Sequence, residues 1–382
     1  MRIALISKAC LVGTYQRKLE ELAALPGIDL AVIVPPAWRD ERGTMTLERA
    51  HLNGYRLIVE PIVFNGNYHL YFFPRIARHL DALRPDLIHI DEEPYNFAAY
   101  HLLRIARRLN ARAVFFAWQN LDRRYPFPFN TIERAVLREA DACIAGNRDG
   151  AQVWRAKGFR GPIEVIPQFG VDPDIYTPEV RGTCEAPRTF TLGYVGRFVE
   201  EKGPDLLLRA LAGLKPLAWR AVFAGSGPLR DKLIALAEGL GLHDRVTFLS
   251  WMPSTQLLDL YRTLDALVLP SRSKPNWKEQ FGRALIEAMA CGVPVVGSTC
   301  GEIPHVIGEA GLLFPEGDFD ALRAQLDRLM VDASLRRDLS ARGRARVLQH
   351  YTQKHIAAAT AQVYRTVLHS TANPAEYGTR NT

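Results

Sequence analysis

The chain is poor in cysteine: five among 382 residues, at positions 10, 143, 184, 291 and 300, with no Cys-x-x-Cys pair. Their odd number and their spacing exclude a disulfide framework and a thiolate zinc site, and point to a reducing, cytoplasmic setting. Cys10 falls in a loop after a first strand, where a small filler is the preferred reading over a reactive thiol. Long apolar runs are also missing; none reaches the roughly 18–20 residues that cross a bilayer. The opening MRIALISKACLVG is not expected to be a secretory leader, because its apolar run ends at Ile6 and Lys8 follows. It reads as a buried strand. A Gly-x-Gly-x-x-Gly turn and a P-loop are lacking as well, which weighs against dinucleotide and ATP binding. Basic residues are not concentrated with aromatics, so no nucleic-acid partner is expected.

What is present is a long alternation of apolar strands and helical patterns. Hydrophobic residues make up 48% of the chain, and at 382 residues two domains are expected. Strand-like runs at Arg2–Ile6, Leu30–Val34, Leu87–Ile90, Ala113–Phe116, Ala142–Ala145 and Ile163–Ile166 form a first series. A Pro- and Gly-rich stretch from Phe169 to Pro187 breaks the rhythm, and a second series begins at Phe190. The expected organisation is a Rossmann-like domain over 1–170, a linker over 171–188, a second such domain over 189–350, a last helix over 351–368 and a disordered tail over 369–382. The fold class is α/β: two doubly wound domains facing each other across a cleft, with ligands at the carboxyl ends of strands. A net charge of +7 fits anionic partners such as nucleotides, phosphates or a membrane surface. The densest basic cluster, HLLRIARRLNAR (101–112), reads first as a solvated helix packed on a sheet and second as a helix docked on an anionic membrane.

Three segments carry chemistry. In GYVGRFVEEKGPDLLLRAL a strand ends at Gly196, a helix begins near Pro204, and Arg197 and Lys202 lie between. Two cations beside a helix N-terminus suit a pyrophosphate; surface pairing with Glu200 and Glu201 is the plainer alternative. In AVFAGSGPLRDKL, Gly225 and Gly227 permit either a plain turn or close backbone approach. In KEQFGRALIEAMACGVPVVGS, Glu279 precedes a helix and Glu287 lies within it, near Phe281, Leu285 and Ile286. Carboxylates buried there cost free energy unless hydrogen-bonded. Vicinal sugar hydroxyls would bond both, one acid holding the sugar to be moved and the other a ribose. Backbone amides from Gln280 to Gly282 would face the same cleft.

Together these segments resemble the group 1 glycosyltransferases, the retaining family 4 enzymes with the GT-B fold. Glu279-Gln-Phe-Gly-Arg-Ala-Leu-Ile-Glu287 is similar to the family's Glu-x7-Glu motif, GYVGRFVEEKG to its phosphate loop and FAGSGP to its next turn. PDLIHI and VIPQFGVD resemble N-terminal landmarks, so the likeness runs over about residues 85 to 320. It implies a nucleotide-diphosphate sugar as donor, a glycan or lipid-linked acceptor, no cofactor and no essential metal. Arg197 and Lys202 would hold the pyrophosphate and stabilise the departing diphosphate, replacing a divalent metal. Glu279 would hold the donor sugar with amides near Phe281 and Gly282, and Glu287 the ribose. Gly225 would belong to the donor site, and Gly13 would let the first loop approach the phosphates and the acceptor. Trp251 would face the base, with a core aromatic as the other reading. The last helix would cross back to the first domain. The acceptor hydroxyl would attack from the face the phosphate vacates, a phosphate oxygen taking the proton. A cell-envelope polysaccharide or glycolipid product, made at the inner face of a bacterial membrane, follows from the family's habits and the basic charge.

The chain departs from that pattern in places. ACLVGTYQRKL has one glycine where many relatives have two, and Trp118, Gln119 and Asn120 stand where many have a histidine. Gln119 or Asn120 would then hydrogen-bond on the acceptor side. HIDEEPYN sets Asp91, Glu92 and Glu93 after a strand, where they either select the acceptor or cap the next helix. Asp172-x-Asp174 matches a metal motif of another glycosyltransferase fold but reads as a turn. An NAD-dependent oxidoreductase and a catalytically inactive member of the same family are the remaining readings.

Overall fold

The computed structural model describes residues 1–40, 43–178, 189–214, 216–252 and 254–370. They form two compact units, Met1–Gly170 joined by the segment from Gln353, and Val171–Thr352.

The first unit is a seven-stranded parallel sheet in the order Arg56–Val59, Asp29–Val34, Arg2–Ile6, Leu87–Ile90, Arg112–Ala117, Ala142–Ala145, Ile163–Val165. Its central strands, such as LIHI and ACIA, are buried along their whole length, as a parallel sheet covered by helices requires. Ile3 lies between Leu30 and Leu87, so the chain builds outward from Arg2–Ile6 on one side and then restarts on the other. That reversal is a topological switch point. The loops after its two strands begin with Ser7-Lys8 and with Asp91-Glu92-Glu93. The helix Gln353–His369 belongs to this unit: Ile356, Ala357, Ala361 and Tyr364 join the core with Ile3, Leu5 and Val32. Its Tyr364 hydroxyl is 2.5 Å from His89 Nδ1.

The second unit is a six-stranded parallel sheet in the order Val246–Leu249, Trp219–Ala224, Phe190–Val195, Ala266–Leu269, Val295–Ser298, Leu312–Phe314. Leu192 pairs with Ala221 on one side and Ala266 on the other, which makes a second switch point. The segments GYVGRFVEEKG and SRSKPNWKEQFG follow its two strands.

The stretch expected as a linker starts as a turn built onto the second unit. The Val171 amide donates to the Tyr351 carbonyl (2.9 Å), and Arg344 donates to the carbonyls of Pro173 (3.0 Å) and Ala290 (2.7 Å). The Asp174 amide donates to Asp172 Oδ1 (3.0 Å), which is the turn read from Asp-x-Asp. Residues 179–188 and the tail from 371 lie outside the described residues. The hairpin Ala37–Asp40/Gly43–Thr46, the strand Arg56–Val59 and the helices Ile76–Leu83 and Phe129–Glu139 had no sequence expectation. The basic helix is Phe97–Arg108, and its arginines are paired: Arg104 with Glu139 (3.4 Å), Arg107 with Asp141 (3.1 Å), Arg108 with Asp81 (2.7 Å). These pairs fit the first reading of the segment, a solvated helix packed on the sheet.

Candidate active site

At the switch point of the second unit the two loops are joined through backbone and arginine contacts. Gly203, at φ 63°, ends the short turn Glu200–Lys202 and starts the helix Pro204–Ala212. A Cβ there would lie 2.0 Å from the Pro270 carbonyl oxygen, so only glycine lets the two loops meet. Arg272 donates to the Glu200 carbonyl (2.8 Å) and to Asp205 (2.9 Å), and its amide donates to the Glu201 carbonyl (2.8 Å). Glu200 pairs with Lys274, not with the two expected phosphate-binding cations. The neighbouring FAGSG turn packs just as closely. A Cβ on Gly225 would lie 1.9 Å from the Gly196 oxygen, and the Phe198 amide donates to the Ser226 carbonyl (2.8 Å). Close backbone approach, and not a plain turn, is therefore what these glycines serve.

Within this frame Lys202 and Glu279 meet. Lys202 Nζ donates to Glu279 Oε2 (2.6 Å) and lies 5.0 Å from the centre of the Trp277 ring. Ser271 Oγ donates to the same carboxylate oxygen (2.8 Å). The Glu279 backbone is fixed too: its carbonyl accepts the Glu302 amide (3.1 Å) and lies against Gly301, whose Cβ would be 2.1 Å away. Arg197 is exposed, and its carbonyl accepts from the Tyr194 hydroxyl (2.7 Å).

Glu287 is buried in the helix Arg283–Ala290. Its two oxygens accept from the Tyr261 hydroxyl (2.8 Å) and from Arg283 Nε (2.6 Å). Burial and then the Glu287 charge hold the Tyr261 hydroxyl well above the ordinary range, so it stays a donor. Both acids are thus already supported by protein donors, and each carboxylate oxygen can accept a further bond. Gly282, at φ 82°, begins this helix, and no side chain caps it. Phe281 is buried edge-on against Tyr351 (5.8 Å). Trp251 is 70% exposed in the loop after Val246–Leu249, so the core-aromatic reading is corrected.

The first unit holds a second polar cluster at its own switch point. Lys8 pairs with Glu92 and lies 5.0 to 5.8 Å from the rings of Tyr71, Trp38 and Tyr68. Asp91 accepts from Ser7 Oγ and from Gln168 Nε2 (2.8 Å). Glu93 accepts the amides of Trp118 (2.8 Å) and Gln119 (3.2 Å) on one oxygen, and Gln119 Oε1 accepts from the Tyr125 hydroxyl (2.7 Å). Asn120 is buried beside them in sequence. The helix-capping reading of the three acids falls: the residue at the helix start is Asn96, and it donates to Glu92 (3.3 Å). Burial pushes the Glu93 carboxyl up to about 7. Glu92 Oε1, Glu93 Oε2, Asn96 Oδ1 and Gln119 Nε2 are buried without a hydrogen-bond partner.

Gly13 closes the first loop and opens the helix Gly13–Ala23. Its amide donates to Glu48 Oε2 (2.6 Å), and a Cβ would meet Ala50 at 2.9 Å, so this close approach is to the chain itself. Cys10 is buried and its thiol is pushed up to about 12, which matches an inert filler. Sequence reasoning missed Ser271, Trp277, Tyr261, Lys8 and Asn96. The first two stand in the loop before Glu279, and Lys8 stands two residues past a buried strand; Tyr261 gave no signal, since an aromatic in an amphipathic helix reads as core.

Two Rossmann-like units, the second with a cation-bearing loop and a Glu-x7-Glu helix at its switch point, define a GT-B protein. Residues 183–346 match the family described as Glycosyl transferases group 1, and residues 15–175 match Glycosyltransferase Family 4. The chain belongs to these group 1, family 4 glycosyltransferases. A D-inositol 3-phosphate glycosyltransferase of Mycolicibacterium smegmatis is 37% identical over 216 residues, 51% of this chain and 48% of that protein. The chain matches about half the length of such curated relatives. Among solved structures, sucrose-phosphate synthase from Thermosynechococcus elongatus superposes with a TM-score of 0.73 at 23% identity, over 96% of this chain and 99% of that one. The Anabaena protein HepE, solved in complex with UDP, gives 0.72 at 19% identity, over 96% and 100%. At these identities the likeness is one of fold.

Proposed function

We propose that the protein is a retaining glycosyltransferase that moves a hexose from a nucleotide-diphosphate sugar to a hydroxyl acceptor, without a metal or other cofactor. The observation that carries this is the contact of Lys202, Glu279 and Ser271 at the second switch point, with Glu287 on the helix that follows. A cation held by a carboxylate at a strand end is poised to exchange that partner for a pyrophosphate. Glu279 is then released to accept donor-sugar hydroxyls, and Arg197 adds charge from the exposed side of the loop. Positive charge fixed where the leaving diphosphate develops its own charge lowers the barrier without reorganisation. Glu287 accepts the ribose hydroxyls. The UDP bound by HepE makes uridine the base to test first.

On the acceptor side, Glu92, Gln119 and Asn120 gain Glu93 and Asn96. Glu92 Oε1 and Asn96 Oδ1 as acceptors, Gln119 Nε2 as donor and Glu93 Oε2, which donates when protonated, suit a polyhydroxyl compound, since each such group left unsatisfied costs about 1–3 kcal/mol. The curated relatives are named for D-inositol 3-phosphate, a cyclitol with a phosphate. A cell-envelope glycan or lipid-linked acceptor at the cytoplasmic face of a bacterial membrane is the expected setting. The test is transfer or hydrolysis of UDP-, GDP-, ADP- and dTDP-sugars in EDTA, with the product anomer read by NMR. An inverted anomer sinks retention, and activity that EDTA abolishes sinks metal independence. No turnover of any nucleotide sugar leaves the inactive-relative reading.

A further inference from the structure

We propose that two neighbouring loops of the first unit, residues 63–70 and 123–129, dock the protein on a bilayer rich in anionic lipid. Phe64 is 62% and Phe127 81% exposed, and Tyr68 and Leu70 are exposed beside them. The loops adjoin through His69, whose ring lies 5.7 Å from Tyr125 and 4.7 Å from Phe129, on either side of Phe127. This exposure is built into an ordered loop. Asn67 Oδ1 accepts the amides of His69 and Leu70 (both 3.1 Å), and the Phe97 amide donates to the His69 carbonyl (2.9 Å). Asn65 accepts the Arg39 amide (3.0 Å) and donates to the Ala37 carbonyl (3.1 Å), tying the loop to the adjacent hairpin. Phe64 holds φ 55°, a conformation costly for any residue but glycine, and presents its ring to solvent from it.

Charge selects the partner. Arg124 lies in the second loop, Arg39 packs against Gly66 of the first, and Arg75 follows Phe72, which bridges to Val63; all three are exposed, and among the described residues none of them makes an ion pair. The arginines of the helix Phe97–Arg108, by contrast, are all paired. Asp122, which precedes the second loop, lies 3.9 Å from Lys157. Aromatic rings that enter the headgroup boundary, flanked by guanidinium groups at the level of lipid phosphates, are what an anionic interface binds. The inference deepens the membrane setting of the proposed function by naming the surface, and it is tested apart from the transferase reading, because docking is read by sedimentation and not by turnover.

The experiment is co-sedimentation of the full chain with phosphatidylcholine vesicles, with and without about one third phosphatidylglycerol. Wild type should partition onto the anionic vesicles and release in high salt. The triple variant Arg39→Gln/Arg75→Gln/Arg124→Gln should partition about a hundredfold more weakly. Phe64→Ser/Phe127→Ser should lose at least about tenfold. Both variants should melt and turn over nucleotide sugar like wild type, since none of these side chains is in the core or in either polar cluster. Equal recovery on neutral and anionic vesicles, or unchanged partition of the variants, overturns the proposal. So does a wild-type dimer in gel filtration that Phe64→Ser/Phe127→Ser dissolves, which would assign the patch to a second copy.

Discussion

Replacing Glu287 with Gln separates its proposed ribose role from its structural one. Gln keeps the shape and an acceptor for the Tyr261 hydroxyl, now at 2.8 Å, and loses the charge facing Arg283. The Arg283 side chain is 35% exposed, so water can replace that partner, and the cost to the unliganded fold is about 1 kcal/mol or less. Binding should suffer more. A carboxylate accepting from two ribose hydroxyls makes charge-assisted bonds, and weakening both costs about 3 kcal/mol, or roughly a hundredfold in affinity. At a nucleotide concentration about 100 times the wild-type Kd, wild type gains about 2.7 kcal/mol and the variant about 0.4 kcal/mol. For a unit of this size that is a melting shift of about 5–11 °C against about 1 °C. The assay is thermal unfolding with UDP, GDP, ADP and dTDP sugars. Equal shifts in both proteins refute the ribose role. A failure of every nucleotide to shift wild type refutes the donor site as a whole.

Lys202→Ala should lower kcat about 10²–10³-fold, the usual loss for one fixed group facing transition-state charge, in steady-state kinetics with the best nucleotide sugar; an unchanged kcat removes Lys202 from the chemistry. Gly225→Ala should destabilise by about 3 kcal/mol or more in denaturant unfolding, because its Cβ would lie 1.9 Å from a backbone oxygen that cannot swing away. Glu93 has its carboxyl raised to about 7 in the fold against an ordinary 4.5, so the native state holds a proton that the unfolded chain has released. Its contribution is full below pH 4.5 and is lost as pH rises through about 7, so Glu93→Gln should flatten that decline in melting temperature. Burial lowers His89 to about 4 from 6.5, with the opposite sign: stability present above pH 6.5 should fall as pH drops toward 4, and His89→Asn should remove that acid limb.

Much of this was legible in the amino-acid order. Buried parallel strands have to be short apolar runs, so LIHI, FTLGYV and ALVL declared the two sheets, and Pro204 and Gly282 marked where helices begin. Local signals also set Lys202, Glu279 and Glu287 apart, because charges beside apolar strand ends and inside an apolar helix need a reason. The edge strand Arg56–Val59 and the hairpin Ala37–Asp40/Gly43–Thr46 were not legible, since half-exposed strands carry no unbroken apolar run. Tertiary structure alone decided the partners. Lys202 reaches Glu279 across 77 positions, Glu287 takes its hydroxyl from Tyr261, and Glu48 takes the Gly13 amide. It also turned the basic helix into paired structure and left Arg39, Arg75 and Arg124 unpaired beside exposed rings. Composition and spacing fix which residue types are available, whereas a hydrogen bond or ion pair depends on distances of a few ångströms that only the closed sheet and its switch points create.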